Sequence, residues 1–273
     1  MNETSNNPTS PSPSGSPDSY RDGVGLSLLA AITFFTRIPL WKLVEIPGEA
    51  FRKIIGYWPL TGWITGGITG LTLWGCSYLV PPVVAVVLAF VVRLLLTGAF
   101  HEDGLGDFFD GFGGGRTKDD ILRIMKDSHV GSYALIAIVV YYLLLVNLLA
   151  SVPARTAMLL IFSADPLSKM LTALMINYLP YARKESESKA KTIYDKLTFI
   201  RIIGVLVFGL LPMGLFLPMK LWCAGILSLA MTTFIYLYIK KKIQGYTGDI
   251  CGATTLLCEV MFYLGAVGLL NSL

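Results

Sequence analysis

The stretch 132–151, SYALIAIVVYYLLLVNLLAS, contains no charged residue and is long enough to cross the apolar core of a bilayer as one α-helix. A bilayer offers no water to unpaired backbone groups, so a spanning segment must be a helix or part of a closed barrel. No segment of this chain shows the alternating pattern of a membrane barrel strand. The stretch therefore predicts an α-helical membrane protein.

The composition of the whole chain agrees with this prediction. Of its 273 residues, 54% are hydrophobic and only 15% are charged. A soluble domain of this size carries about 25% charged residues, because its surface faces water. The net charge of +4 is too small to indicate a nucleic-acid partner.

Apolar runs predict an all-α fold, a polytopic integral membrane helical bundle with about eight transmembrane helices. The predicted spans are 24–40, 56–80, 82–100, 132–151, 156–181, 199–217, 221–239 and 251–270. They predict one membrane domain over 24–273, with cytoplasmic connections at 101–131, 182–198 and 240–250. Residues 1–23 are rich in Asn, Ser and Pro and predict a disordered polar tail.

The basic residues predict the orientation of this domain. Most of the 22 lie in alternate connections between the predicted spans, so these connections share one face of the membrane. The opposite face receives Arg21, Arg155 and Lys220. Positively charged connections face the cytoplasm in membrane proteins. We therefore expect the long polar connections, and any site built from them, on the cytoplasmic face.

The stretch HEDGLGDFFDGFGGG, which begins at His101, carries four carboxylates within nine residues. The first is Glu102, and Asp103, Asp107 and Asp110 follow with the spacing i, i+4, i+7, which places them on one face of a helix. Their mutual repulsion favours a bound cation, and oxygen ligands without cysteine indicate Mg²⁺ rather than Zn²⁺. The alternative is a solvated acidic loop at the end of a span.

A second polar stretch, RIMKDSHVGS, precedes the span at 132–151. Arg123 and Lys126 are candidates for balancing the acids or binding phosphate oxygens. Asp127 is a candidate ligand or helix cap, and His129 is a candidate general base because its ordinary pKa lies near neutrality. The alternative is an ordinary basic flank of a membrane span.

A third polar stretch, GYTGDICGA, opens the last predicted span. Thr247 is a candidate cap there, and Asp249 is either stabilised by the helix dipole or brought to the acidic cluster as a further metal ligand. Glu259 lies inside the span and is expected to face the bundle or a wet cavity. Asp165 and Lys169 are expected to neutralise each other within the fifth span.

Four motifs along the chain resemble the cobalamin synthase family, also described as adenosylcobinamide-GDP ribazoletransferase. They are FTRIP at 35–39, HEDGLGD at 101–107 with DG at 110–111, IMKDS at 124–128 with Gly131, and TGD at 247–249 with GA at 252–253. The motifs occur in the family's order and cover nearly the whole chain after residue 24. The acidic and MKDS motifs are the specific ones.

The resemblance implies a Mg²⁺-dependent enzyme of a bacterial or archaeal cytoplasmic (inner) membrane, embedded in the lipid bilayer. It implies that adenosylcobinamide-GDP is joined to α-ribazole, or to α-ribazole 5′-phosphate, with release of GMP. The product is adenosylcobalamin or its 5′-phosphate, in the last step of nucleotide-loop assembly. The residues themselves support phosphoryl transfer, which needs divalent cations and positive side chains around phosphates. The sequence does not determine whether the protein forms a homo-oligomer.

On the basis of this resemblance, we assign hypothetical roles to the candidate residues. The metal ligands are Asp103, Asp107, Asp110 and Asp249. The catalytic residues are Glu102, Asp103, Asp107, Lys126 and His129. The substrate-binding residues are Arg37, Arg116, Arg123, Asp127, Ser128 and Thr247.

Two other classes of protein use similar features. CDP-alcohol phosphatidyltransferases are membrane enzymes with Asp-Gly motifs, but their first acidic pair is followed by Ala-Arg, whereas Leu105-Gly106-Asp107-Phe108 stands here. A cation transporter would carry paired carboxylates at mid-span in two related halves, and no such symmetry is visible in this sequence.

Overall fold

The computed structural model describes residues 24–183 and 194–271, which form ten α-helices. They are α1 (Val24–Phe35), α2 (Trp58–Cys76), α3 (Pro82–Thr97), α4 (Phe100–Gly114), α5 (Lys118–Ile124), α6 (Ser132–Ala150), α7 (Ala154–Asn177), α8 (Phe199–Phe216), α9 (Ala224–Lys242) and α10 (Gly248–Asn271). The predicted tail at 1–23 lies outside the described residues, as does the middle of the predicted connection at 182–198.

The predicted all-α membrane bundle is confirmed. A helix occupies most of each predicted span, and α1 covers the first 12 residues of the span 24–40. By length and hydropathy, five helices within the described residues are able to cross a bilayer, or six if α3 and α4 form one bent span. Helix α1, which is short, and helix α2, in which glycine and threonine dilute the apolar character, are not among them.

A sharp bend separates α3 from α4. Gly98 and Ala99 both adopt the left-handed backbone conformation, with φ of 71° and 58°, and the two helices differ in direction by 92°. Glycine accepts this conformation freely, whereas alanine does so at a steric cost. The connection predicted at 101–131 is therefore largely helical, with the acidic stretch on α4.

Helix α7 is almost completely buried, and α2 packs against it through glycines. A Cβ atom added to Gly62 would lie 2.7 Å from the backbone nitrogen of Pro166. Gly66 and Gly70 follow at intervals of four residues and also lie against α7. Small residues with this spacing allow membrane helices to approach closely. In contrast, α6 and α8 expose most of their apolar side chains, as lipid-facing helices do.

Two ion pairs are buried in the bundle interior. Arg93 of α3 donates two hydrogen bonds to Glu259 of α10, over 2.7 and 2.9 Å, and these side chains are 1% and 0% exposed. Asp165 pairs with Lys169 within α7 and accepts a hydrogen bond of 2.6 Å from Thr65 of α2. The predictions that Glu259 faces the bundle and that Asp165 and Lys169 neutralise each other are confirmed.

We expect Gly62→Ala to destabilise the protein by about 1–3 kcal/mol, because the added methyl group overlaps the α7 backbone. The measurement is the midpoint of thermal unfolding in detergent micelles. Gly67→Ala is the matched control on the same helix, since its Cβ would meet the Phe162 ring at 3.5 Å, an ordinary contact. Alanine also favours a helix over glycine. Equal midpoints for the two variants would contradict the close packing of α2 on α7.

Candidate active site

A cavity of about 450 Å³ lies where α4, the loop after α5 and the start of α6 meet. Helix α4 contributes Glu102, Asp103, Asp107 and Asp110. The loop contributes Asp127, Ser128 and His129. The structure therefore brings seven residues of the predicted site to one cavity.

The two faces of α4 have opposite surroundings. Its acidic face lines the cavity, as the spacing of the carboxylates predicts. On the other face, a Cβ atom added to Gly104 would lie 2.6 Å from the carbonyl oxygen of Asp249. One added to Gly252 would lie 3.0 Å from the carbonyl oxygen of His101. Helix α4 is thus packed backbone to backbone on α10, and its acids face the cavity.

Asp110 holds the start of α6 with both of its carboxylate oxygens. Oδ2 accepts a hydrogen bond of 2.6 Å from the backbone N–H of Gly131, and Oδ1 accepts one of 2.9 Å from that of Ala134. A helix leaves such groups unpaired at its N-terminus and favours negative charge there. The sequence offered Asp127 as a ligand or a helix cap and Asp110 as a metal ligand. In the structure Asp110 makes the capping contacts, and its role as a metal ligand stays a prediction.

Glu102 is a deeply buried acid of the cavity, with 6% of its surface exposed. Its Oε1 accepts a hydrogen bond of 3.2 Å from the hydroxyl of Tyr142. Its Oε2 has no hydrogen-bond partner within the described part of the chain. Burying a carboxylate oxygen without a partner costs free energy, so an arriving proton donor or cation gains most at this atom.

The loop between α5 and α6 pairs an acid with an imidazole. Oδ1 of Asp127 accepts a hydrogen bond of 3.1 Å from the backbone N–H of His129, and His129 Nδ1 lies 2.6 Å from the same oxygen. This hydrogen bond raises the pKa of His129 and lowers the pKa of Asp127. The pair therefore favours the charged imidazolium at the solvent-exposed mouth of the cavity.

Thr247 and Asp249 lie on the α10 side of α4 and do not line the cavity. Thr247 is fully buried, and its hydroxyl lies 3.4 Å both from the backbone N–H of Ile250 and from Oδ2 of Asp249. The same carboxylate oxygen lies 3.5 Å from Nη2 of Arg183. The geometry supports the cap alternative for Thr247. Helix packing brings the backbone of Asp249 to α4, and its carboxylate contacts Arg183. The role of Asp249 as a metal ligand stays a prediction.

The predicted phosphate-binding residues are all exposed, and they differ in their distance from the cavity. The guanidinium of Arg37 packs against Gly98, which forms one edge of the cavity. Lys126 directly precedes the lining loop. Arg116 and Arg123 lie beside and within α5, outside the lining. Arg37 thus lies beside one lining residue, and Lys126 precedes another in the sequence.

His101 received no role from the sequence, and the structure places it in the core. Its side chain is 1% exposed, stacks on Phe35 with the ring centroids 5.5 Å apart, and has no hydrogen-bond partner within residues 24–183 and 194–271. With Trp58 it lines an aromatic slot of about 10 Å³, which is room for about one water molecule. Because His101 stands next to acidic residues in the sequence, nothing in the sequence indicates that its side chain packs in the core.

The acids of the cavity fit Mg²⁺ by their chemistry. No group of three or more His, Cys, Asp or Glu residues in the described part of the chain is arranged to hold a metal ion by itself. Mg²⁺ is usually bound by one or two carboxylates and completes its coordination with water and substrate phosphates. Asp103 and Asp107 present oxygen ligands to the cavity, which suits a site that a phosphate substrate completes.

The fold and the site define a multi-pass membrane protein with an acidic cavity at one end of its helices. The family model described as cobalamin-5-phosphate synthase matches residues 27–267. The adenosylcobinamide-GDP ribazoletransferase of Shewanella sp. (strain W3-18-1) is 38% identical over 249 residues, which covers 86% of this chain and 91% of the relative. The protein of that name from Shewanella oneidensis is 36% identical over 244 residues, covering 85% and 90%. No solved structure matches the chain.

The chain belongs to the cobalamin-5-phosphate synthase family. It is therefore a transferase of cobalamin synthesis, and the family predicted from the four motifs is confirmed. The match assigns the chain to this family rather than to the CDP-alcohol phosphatidyltransferases or to cation transporters.

We expect Asp127→Asn to lower the pKa of His129 toward its ordinary value, because the substitution removes the carboxylate that stabilises the imidazolium. In the wild type the ion pair is present below the raised pKa of His129 and is lost as the pH rises through it. An NMR titration of labelled histidine in micelles measures this, since the chain has two histidines. The control Asp119→Asn changes an exposed carboxylate of α5. A His129 pKa that is unchanged in Asp127→Asn would contradict the pairing.

Proposed function

We propose that this protein joins adenosylcobinamide-GDP to α-ribazole, or to α-ribazole 5′-phosphate, and releases GMP. The names of the Shewanella relatives include the first substrate and the transfer of ribazole. The observation that carries the proposal is the single cavity shared by the acids of α4 and the loop of Asp127 and His129. Phosphoryl transfer requires such a place, where cations and positive side chains meet phosphate oxygens.

The transfer forms one P–O bond and breaks another. The ribose 3′-hydroxyl oxygen of α-ribazole attacks the phosphorus attached to cobinamide, and the bridging P–O bond of the diphosphate breaks, so that GMP leaves. The hydroxyl proton passes to Oε2 of Glu102, which has no partner in the described structure. His129 is the weaker candidate for this proton, because Asp127 already favours its protonated form.

The remaining residues bind and orient the diphosphate. Mg²⁺, when bound by Asp103 and Asp107, supplies positive charge to the phosphate oxygens. Lys126 and Arg37, at the edges of the cavity, bind phosphate oxygens as fixed charges. Arg116 steadies the departing GMP. Positioning and charge neutralisation then carry most of the acceleration.

We also propose that the site faces the cytoplasm. Three of the basic connections meet at the same end of the bundle, because Nη2 of Arg183 lies 3.4 Å from the carbonyl oxygen of Leu122 and 3.5 Å from Asp249. Connections rich in Lys and Arg stay on the cytoplasmic side during insertion. The similar proteins are bacterial, which makes the cytoplasmic (inner) membrane the expected location.

We expect the purified protein in lipid to release GMP from adenosylcobinamide-GDP and α-ribazole when Mg²⁺ is present, and to stop when the metal is chelated. Asp103→Asn keeps the shape of the side chain but loses its charge, so we expect the rate to fall about 100-fold. Chromatography of GMP and of the corrinoid product measures both effects.

Asp119→Asn is the matched control for Asp103→Asn, because Asp119 is exposed on α5 and lies outside the cavity lining. We expect this control to retain the wild-type rate. GMP release that is insensitive to both the metal and Asp103→Asn would contradict the mechanism. Transfer to diacylglycerol or inositol instead would support a lipid-synthesising enzyme.

A further inference from the structure

The α6 wall of the cavity continues into a tyrosine that has no role so far. Ala134 and Ile138 line the cavity, and Tyr142 follows on the same face of α6, one turn deeper. Its hydroxyl donates a hydrogen bond of 3.2 Å to Oε1 of Glu102. We propose that Tyr142 is a positioning residue, which orients Glu102 for the transfer reaction.

The carboxylate of Glu102 needs such a partner because its own side chain is flexible. A glutamate side chain has several rotatable bonds, and a proton acceptor must lie within about 2.6–3.2 Å of the proton donor. A hydrogen bond to a charged carboxylate is among the stronger kinds. With Oε1 bound to Tyr142, the buried Oε2 is the carboxylate oxygen that has no hydrogen-bond partner within the described residues.

The position of Tyr142 is itself fixed by the register of α4 and α6. Asp110 of α4 binds the backbone N–H of Ala134, and Glu102 of α4 binds Tyr142. Glu102 and Asp110 are about two helical turns apart on α4, and Ala134 and Tyr142 are equally far apart on α6. The two helices run in opposite directions. The two contacts therefore join α4 to α6 at two levels of the cavity, and the cap at Asp110 sets the depth at which Tyr142 meets Glu102.

The neighbouring residue provides a matched control. Tyr141 is 4% exposed, and its hydroxyl has no hydrogen-bond partner in the described part of the chain. Tyr141→Phe and Tyr142→Phe remove the same atom from adjacent positions of α6. The first removes no contact to Glu102, and the second removes the contact on which the inference depends.

The inference rests on the proposed transfer reaction, so wild-type activity is established first. We then expect Tyr142→Phe to lower kcat about tenfold, with the KM of each substrate within about twofold of wild type. We expect Tyr141→Phe to keep the wild-type kcat. Single-turnover measurements with excess enzyme keep the slowest variants measurable.

A double-variant cycle tests whether the tyrosine acts through the acid. We expect Tyr142→Phe to cost nothing further in the Glu102→Gln background, because the positioned carboxylate is already gone. Thermal midpoints of the two Phe variants within about 2 °C of each other would show that the loss of rate is not a folding defect.

Two outcomes overturn the inference while leaving the transfer reaction intact. One is a Tyr142→Phe enzyme with the kcat of Tyr141→Phe. The other is a further loss of rate when Tyr142→Phe is added to Glu102→Gln. Failure of the wild type to release GMP would instead overturn the proposed function itself, and the inference with it.

Discussion

Helix α10 holds the acidic helix in place by direct backbone contact, and the site depends on that contact. Gly104 leaves no side chain between α4 and the carbonyl of Asp249. The same helix holds α3 through the buried pair of Arg93 and Glu259. Since α3 leads into α4 through the bend at Gly98, α10 fixes both arms of the bend. Losing one member of the pair would leave a buried charge uncompensated, at a cost of about 3–5 kcal/mol.

The acids in the bundle interior and the acids in the cavity are stabilised in different ways. The first set has a structural role, and the second set belongs to the candidate active site. In the bundle interior, Glu259 and Asp165 each contact a basic side chain, so the charge is balanced where no water can reach it. In the cavity, Glu102 is held by a hydroxyl group and Asp110 by backbone N–H groups. Hydrogen bonds of this kind fix a carboxylate without cancelling its charge. Carboxylates that keep their charge suit the Mg²⁺ that we propose the cavity binds.

Local patterns were enough to predict the long apolar helices and the shared face of the acids, because both follow from periodicity within about 20 residues. They were also enough to predict that Glu259 faces inward. Its partner Arg93 lies 166 positions away, and no local pattern indicates that pairing. The bend at Gly98 and Ala99 was missed because an alanine in the left-handed region has no local signal. The cap by Asp110 was missed because it joins two helices across a loop.

The cavity combines two walls of opposite chemistry, and this follows from which helices form it. Helix α4 presents its carboxylates to the cavity because the opposite side of this helix packs against α10. Helix α6 faces it with Ala134 and Ile138, because a membrane-spanning helix is apolar on most of its surface. An acidic wall that holds a cation would suit phosphate groups, and an apolar wall would suit an organic ring system. Both walls in one place therefore support the proposed substrate, a diphosphate attached to a large ring system.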